Sequence, residues 1–168
     1  AALCSAVENT APSAIGFSAL WSFVGSAIAT FLAFALLPVY EFVFNVWTDF
    51  KTSEKTSFKT PLLKELAEKA PGTFNHSLVV GNLAESCAIA IGENPYMARA
   101  AAYYHDIGKI KQPDFFVENQ ADGYNPHDDL IPEVSVSVIK KHTRLGEEIL
   151  KSHRMPDEIV KAALEHHG

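Results

Sequence analysis

The sequence predicts an all-α protein, with one transmembrane helix followed by a helical domain. No charged residue lies between Glu8 and Glu41, whereas about 20 apolar residues in a helix already span a bilayer core. Beyond that run, prolines and glycines recur at the spacing of helix starts and stops. The alternation of apolar and polar residues that marks a half-buried strand is rare.

Residues 14–40 form the predicted transmembrane helix, preceded by an extracytoplasmic stub or loop at 1–13. Small residues such as Gly25 and Ala29 suit close packing against other membrane helices. A buried helix of a soluble domain is the weaker alternative, because charge-free runs beyond about 18 residues are typical of membrane spans. A secretory signal peptide is disfavoured because nothing basic precedes the run.

The distribution of positive charge predicts the orientation of this helix. The residues before it contain no Lys or Arg, whereas several lysines follow it, starting with Lys51. Because positive charge is retained on the cytoplasmic side, the chain from about Glu41 onward is predicted to be cytoplasmic. Cys4 and Cys87 would then lie on opposite sides of the bilayer, so no disulfide is expected.

A juxtamembrane linker at 41–60 is predicted to lead into the helical domain at 61–168. Thr60-Pro61 has the pattern of an N-cap followed by a first-turn proline, and it opens a helix that Pro71-Gly72 is expected to end. A third helix of the domain is predicted from Asn94-Pro95 to near Asp106.

The second helix of the domain is predicted from about Phe74 to Ile91, with Gly92 as its C-terminal stop. Leu78, Leu83 and Cys87 are its predicted core-facing residues.

A long loop is predicted between Lys109 and Ile131, where prolines and glycine alternate with Asp and Asn and no helical period continues. Loops of this length are usually functional or disordered, and aromatic residues such as Phe115, Phe116 and Tyr124 favour an ordered flap near a site. Three further helices are predicted at 134–142, 144–152 and 156–167.

Histidines and one aspartate form the candidate metal site. His105-Asp106 places a nitrogen ligand beside an oxygen ligand just before Gly108, although such a dipeptide alone is more often a solvated polar step. Divalent first-row metals bind imidazole and carboxylate, and a dinuclear site needs roughly three to four protein ligands per metal. Consecutive helical residues point about 100° apart, so His105-Asp106 and His166-His167 can converge only at helix ends. The candidate ligands are His76, His105, Asp106, His142, His166 and His167.

These residues, in this order, resemble the metal-dependent HD phosphohydrolase superfamily, and within it the seven-transmembrane HD proteins, the PgpH-type cyclic di-AMP phosphodiesterases. The resemblance extends from about residue 14 to the end of the chain and implies an HD-type helical domain in a bacterial inner membrane. The phrases that carry it are Ala70–Ser77, Tyr103–Lys109, Phe116–Gln120, Asn125–Asp128 and Glu165–Gly168.

The resemblance also implies an arrangement of two divalent metal ions, manganese or iron, with zinc as a further candidate. His76, His105 and Asp106 would bind the first ion together with an aspartate that family members carry further downstream. Asp106 would bridge to the second ion, which would be bound by three ligands: His142, His166 and His167. The chain is accordingly expected to be a fragment whose activity is impaired without the downstream aspartate.

The leading hypothesis for function is a metal-dependent phosphodiesterase that converts cyclic di-AMP to linear pApA. Asp106 and Lys109 are its predicted catalytic residues, with Lys109 neutralising a substrate phosphate. The alternative for Lys109 is a solvated lysine at a helix end. Two other functions remain open, a catalytically impaired HD module that senses a nucleotide and another HD nucleotide phosphohydrolase.

Partners are predicted from charge and from the membrane segment. The net charge of −6 argues against nonspecific binding of polymeric nucleic acid, so the expected partners are a cyclic dinucleotide and the membrane, and a homo-oligomer is left open. His127 is interpreted as a lid contact or, more simply, a residue of a surface turn. His153 is interpreted as a favourable cation at the end of a helix.

Overall fold

The structure is a computed structural model that describes residues 12–44, 47–120 and 123–168. The described residues are helical and contain no strand, which confirms the predicted all-α class. The chain divides into two compact units, one ending at Val46 and the other beginning at Trp47. Most of the predicted extracytoplasmic stub at 1–13 lies outside the described residues.

The first unit contains one long apolar helix, α1 (Pro12–Phe44). Its segment Ile15–Phe44, 30 residues, is long and apolar enough to cross a membrane. The helix continues through Pro38 and past the predicted end at residue 40. An internal proline costs one helical hydrogen bond, and membrane helices tolerate that loss.

The second unit is built from six α-helices and a series of short 3₁₀ helices. The α-helices are α2 (Asp49–Lys55), α3 (Pro61–Lys69), α4 (Pro71–Ile91), α5 (Pro95–Tyr104), α6 (Pro132–Ser152) and α7 (Asp157–Glu165). The 3₁₀ helices are Ile107–Lys111, Pro113–Phe115, Val117–Asn119 and Pro126–Asp129.

Helix starts follow local chemistry. Proline occupies the first turn of α3, α4, α5 and α6, where its missing N–H would have no helical partner. The Asn94 side chain caps α5 by accepting from Met97 N at 3.0 Å, and Gly92 ends α4 with a φ of 77°. α3 ends at Lys69, just before Pro71-Gly72 as expected, and Pro71 also begins α4, which therefore starts earlier than the predicted Phe74.

Two other expectations about helices were wrong. The predicted helices at 134–142 and 144–152 are one continuous helix, α6, because no proline or glycine interrupts the chain between His142 and Arg144. On α4, Leu83 is 64% exposed and Cys87 is also exposed, so neither faces the core. Leu78 does pack against it.

Small residues line the buried face of α4 because α5 approaches it closely. A Cβ at Gly81 would lie 2.3 Å from Tyr103 Cε1, so only glycine admits the aromatic ring there. The core lies between α3, α5, α6, α7 and the 3₁₀ helix Ile107–Lys111. Its buried members include Leu63, Leu66, Tyr104, Ile107, Leu150, Ile159 and Ala163.

Tyr104 connects this core to the end of α2. Its side chain is fully buried, its hydroxyl donates to Lys55 O at 2.7 Å, and burial raises its pKa. We expect Tyr104→Phe to lower the free energy of unfolding by about 1 kcal/mol, because Thr60 also bonds Lys55 O and the carbonyl keeps one partner. Urea denaturation followed by circular dichroism measures this change.

Tyr103→Phe is the matched control, since the Tyr103 hydroxyl has no hydrogen-bond partner among the described residues. It should change stability by less than about 0.5 kcal/mol. Equal losses in the two variants would show that the hydroxyl of Tyr104 contributes nothing specific.

Candidate metal centre

His105 and Asp106 lie where α5 ends and the 3₁₀ helix Ile107–Lys111 begins. Asp106 leaves the helical conformation, with φ of −104° and ψ of 14°, so the two consecutive side chains converge. His105 Nε2 lies 3.2 Å from Asp106 Oδ2, and the side chains are only 13% and 4% exposed. The predicted break at a helix end is therefore what brings these two groups together.

Gly108 allows the 3₁₀ helix to lie directly against α6. A Cβ at this position would lie 1.9 Å from His142 O and 2.6 Å from Gly146 N, which is closer than a side chain permits. The contact places Asp106 Oδ1 3.3 Å from His142 Nε2. A glycine therefore joins the His-Asp corner to the histidine on α6.

The six predicted ligands form two groups that meet at Asp106. His76, His105 and Asp106 have ligand atoms within 4.8 Å of one another, and so do His142, His166 and His167. Asp106 directs Oδ2 toward His105 and Oδ1 toward the second group, 3.4 Å from His166 Nε2. One carboxylate thus presents an oxygen to each group, as a bridging ligand would.

Backbone carbonyls set the tautomers of three histidines. Nδ1 of His105 lies 2.7 Å from Ala102 O, and Nδ1 of His142 lies 2.5 Å from Ile139 O. His166 repeats the contact at 3.0 Å with the carbonyl three residues earlier. A carbonyl oxygen only accepts, so Nδ1 donates and Nε2 is the nitrogen that faces the site, the arrangement typical of metal-ligating histidines.

The atoms that face the second group fit a divalent cation. His142 Nε2 lies 3.3 Å from His166 Nε2, so two ring nitrogens face one another. Asp106 Oδ1 is buried and has no hydrogen-bond donor in the described part of the chain. Tetrahedral ligands about 2.0–2.2 Å from a metal lie about 3.3–3.6 Å from one another, which matches the separations of 3.3 and 3.4 Å among these atoms.

The charge state of Asp106 suits this role. Burial by itself would raise the pKa of its carboxyl group, but the contacts of the carboxylate with His105, His142 and His166 outweigh burial and hold the pKa well below its usual range. Asp106 is therefore a carboxylate at neutral pH, and only this form ligates a cation strongly.

Lys109 is enclosed in the site, so the alternative of a solvated lysine is wrong. Its side chain is 13% exposed, and Nζ lies 2.8 Å from Asp106 Oδ2 and 2.8 Å from Glu118 Oε1. The ammonium also lies 4.8 Å from the centre of the Phe116 ring. Burial opposes the charge, but Asp106 and Glu118 outweigh it and raise the pKa of Lys109, which stays protonated.

Glu118 is a site residue to which the sequence analysis assigned no role. Besides Lys109, its carboxylate accepts from Thr73 Oγ1 at 3.0 Å, and the neighbouring Asn119 accepts from Thr73 N at 3.0 Å. A Cβ at Gly72 would lie 1.8 Å from Glu118 O, so glycine admits this segment to the start of α4. Glu118 belongs to the Phe116–Gln120 phrase of the family resemblance, but nothing in that phrase indicates a contact with Lys109.

The two remaining histidines lie outside both ligand groups. His127 is half-buried in the 3₁₀ helix Pro126–Asp129, with Nε2 2.9 Å from Phe115 O. This contact joins two parts of the predicted loop between Lys109 and Ile131. His153 caps the end of α6 and is exposed, with Nδ1 2.8 Å from Ile149 O, as expected for a residue at a helix end.

The family model described as HD domain matches residues 73–168. The chain belongs to the HD-domain family. The match begins in α4 and covers all six candidate ligands. Together, the HD-domain match and the two ligand groups indicate a site for divalent metal.

Two known proteins with similar sequences are named cyclic-di-AMP phosphodiesterase PgpH. The chain is 46% identical over 148 residues to the cyclic-di-AMP phosphodiesterase PgpH of Listeria monocytogenes serotype 1/2a (strain 10403S), which is 88% of this chain and 21% of the relative. It is 39% identical over 164 residues to the protein of that name from Bacillus subtilis (strain 168), 96% of this chain and 23% of the relative. The predicted resemblance is confirmed, and the chain spans about a fifth of these relatives.

A solved structure has the same HD fold. It is the crystal structure of the HD domain of L. monocytogenes phosphodiesterase PgpH in complex with cyclic-di-AMP, with 55% sequence identity and a TM-score of 0.63. The match covers 64% of this chain and 50% of that chain. The predicted HD-type helical domain is thereby confirmed.

Proposed function

We propose that this HD domain is a metal-dependent phosphodiesterase that hydrolyses a cyclic dinucleotide, cyclic di-AMP, to linear pApA. The observation that carries the proposal is the buried Asp106 carboxylate, which presents one oxygen to each histidine group. The names of the relatives and the ligand of the solved PgpH HD domain support this substrate.

Two divalent ions, manganese or iron, are the cofactors that we propose. His76, His105 and Asp106 would hold one ion, and Asp106 with three histidines would hold the other; these are His142, His166 and His167. When bound, such ions polarise a phosphoryl oxygen and lower the pKa of water. The same set of imidazole and carboxylate donors serves both iron and manganese.

Lys109 is proposed to neutralise charge on the substrate phosphate. Its ammonium is fixed by Asp106 and Glu118 rather than free to rotate, so little side-chain entropy is lost when an anion arrives. Asp106 is proposed to act with it as the second catalytic residue, by holding both ligand groups in register. The histidine Nδ1 contacts with backbone carbonyls keep the rings oriented without using the atoms that face the site.

The membrane arrangement is also a proposal. Residues 14–40 would cross the bacterial inner membrane, 41–60 would link it to the HD domain at 61–168, and that domain would lie in the cytoplasm. The lysines that follow the apolar helix support this orientation. The linker is not featureless, because it contains α2.

Hydrolysis by the full chain tests the proposal. The detergent-solubilised chain with Mn²⁺ is expected to convert cyclic di-AMP to pApA. Chromatography measures the product. His105→Ala should lower the rate by about 1000-fold, because a metal contributes several kcal/mol to the transition state. His153→Ala, a histidine outside both ligand groups, should retain the rate. Equal product from the two variants would contradict the proposal.

A further inference from the structure

Two carboxylates hold the Lys109 ammonium in the metal centre. Nζ lies 2.8 Å from Asp106 Oδ2 and 2.8 Å from Glu118 Oε1. An ammonium has three N–H donors, so these two contacts leave one donor for a substrate phosphate. Asp106 is also a candidate metal ligand, and Glu118 is not among the six candidate ligands. The contact between Lys109 and Glu118 therefore needs a reason other than metal binding.

Glu118 is itself fixed to α4, the helix that carries His76. The Thr73 hydroxyl donates to Glu118 Oε1 at 3.0 Å, and Thr73 N donates to Asn119 Oδ1 at 3.0 Å. The Asn119 amide donates in return to Thr73 Oγ1 at 2.9 Å. Thr73 is fully buried and precedes His76 by about one helical turn. Glu118 therefore fixes the direction of Lys109 relative to a helix that carries a candidate ligand.

Charge alone gives Glu118 an unfavourable effect on the substrate. A carboxylate close to the place of a phosphate repels it, so a site that only needed positive charge would be better with a neutral residue here. The carboxylate is explained if it sets where the ammonium points. Without it, only Asp106 of the two carboxylates would remain, and it would draw the ammonium toward Oδ2, the oxygen that also faces His105.

We infer that Glu118 is a positioning residue, which directs the Lys109 ammonium toward the substrate phosphate and away from the metal-ligand oxygen of Asp106. The inference rests on the proposed function and deepens it, because the phosphate contact of Lys109 then depends on a negative charge nearby. Glu118 acts through Lys109 and does not contact the substrate. Its favourable effect on substrate binding should therefore disappear when Lys109 is replaced.

A double-mutant cycle measures this dependence. Isothermal titration calorimetry of the detergent-solubilised full chain with Mn²⁺ gives the Kd of the hydrolysis-resistant bisphosphorothioate analogue of cyclic di-AMP. Lys109→Gln should raise this Kd about tenfold, because a charge-assisted hydrogen bond is lost. Glu118→Gln should raise it about fivefold, because the ammonium remains but is no longer directed. In the Lys109→Gln background, Glu118→Gln should leave the Kd unchanged or lower it, because it then only removes repulsion of the phosphate.

Glu65→Gln is the matched control, because Glu65 forms an ion pair with Lys69 at 2.7 Å on α3, outside the metal centre. This variant should bind the analogue like the unmodified chain. Equal weakening by Glu118→Gln in the presence and absence of Lys109 would show that Glu118 does not act through Lys109, and it would overturn the inference alone. An unchanged Kd in Glu118→Gln would do the same. An unchanged Kd in Lys109→Gln would overturn the proposed role of Lys109, and the positioning with it.

Discussion

Asp106→Asn is expected to empty both ligand groups of metal and to lower hydrolysis of cyclic di-AMP by about 1000-fold or more. The asparagine keeps the shape of the side chain but removes the charge that both groups share. Its amide N–H group would replace one of the two carboxylate oxygens, on a side where histidine nitrogens and a metal cation are expected. Asp106 directs one oxygen toward each group, so this change should be more severe than the loss of one histidine.

Metal analysis of the purified chain after Mn²⁺ loading and gel filtration measures the first effect. His167→Ala is the comparison, because His167 belongs to the second group alone and is exposed, so its loss should spare the first. Helical circular dichroism should be the same for both variants. Unchanged metal content in Asp106→Asn would show that Asp106 does not ligate, and a smaller loss of metal than in His167→Ala would show that it does not bridge.

The candidate ligands could be predicted from the sequence because their chemistry is local. His105-Asp106 and His166-His167 each place two ligands within two residues of a following glycine, and only a helix end lets such pairs converge. Lys109 had two open interpretations because its environment comes from elsewhere in the chain. Glu118, which lies in the predicted loop, forms an ion pair with Lys109. The spacing of apolar and polar residues does not predict that contact.

Helix starts could be predicted better than helix partners. Prolines in the first turn mark α3 and α5 through a backbone property that neighbours do not change. The buried face of α4 was predicted from apolar residues, yet Leu83 is exposed, and the helix buries its small residues instead because the Tyr103 ring needs the space over Gly81. Hydrophobicity predicts a buried face only where the neighbouring helix leaves room for large side chains.

Gly108→Ala is expected to lower the free energy of unfolding by about 3 kcal/mol or more, the upper range for overpacking. The added Cβ would lie 1.9 Å from His142 O and 2.6 Å from Gly146 N. Both atoms belong to the backbone of α6, which cannot rotate away as a flexible side chain could. The 3₁₀ helix would have to move off α6, and Asp106 would move away from His142 with it. Thermal unfolding in detergent, followed by circular dichroism, measures the loss of stability.

Gly146→Ala is the control from the same interface. Its Cβ would meet Ala163 Cβ at 3.5 Å and Gly108 N at 3.5 Å, which are ordinary contacts, and alanine is favoured over glycine inside a helix by about 1 kcal/mol. The control should therefore be as stable as the unmodified chain or more stable, and it should keep its metal. If Gly108→Ala were equally stable and still bound metal, the close approach of the two backbones could not be what joins the His105-Asp106 corner to the second histidine group.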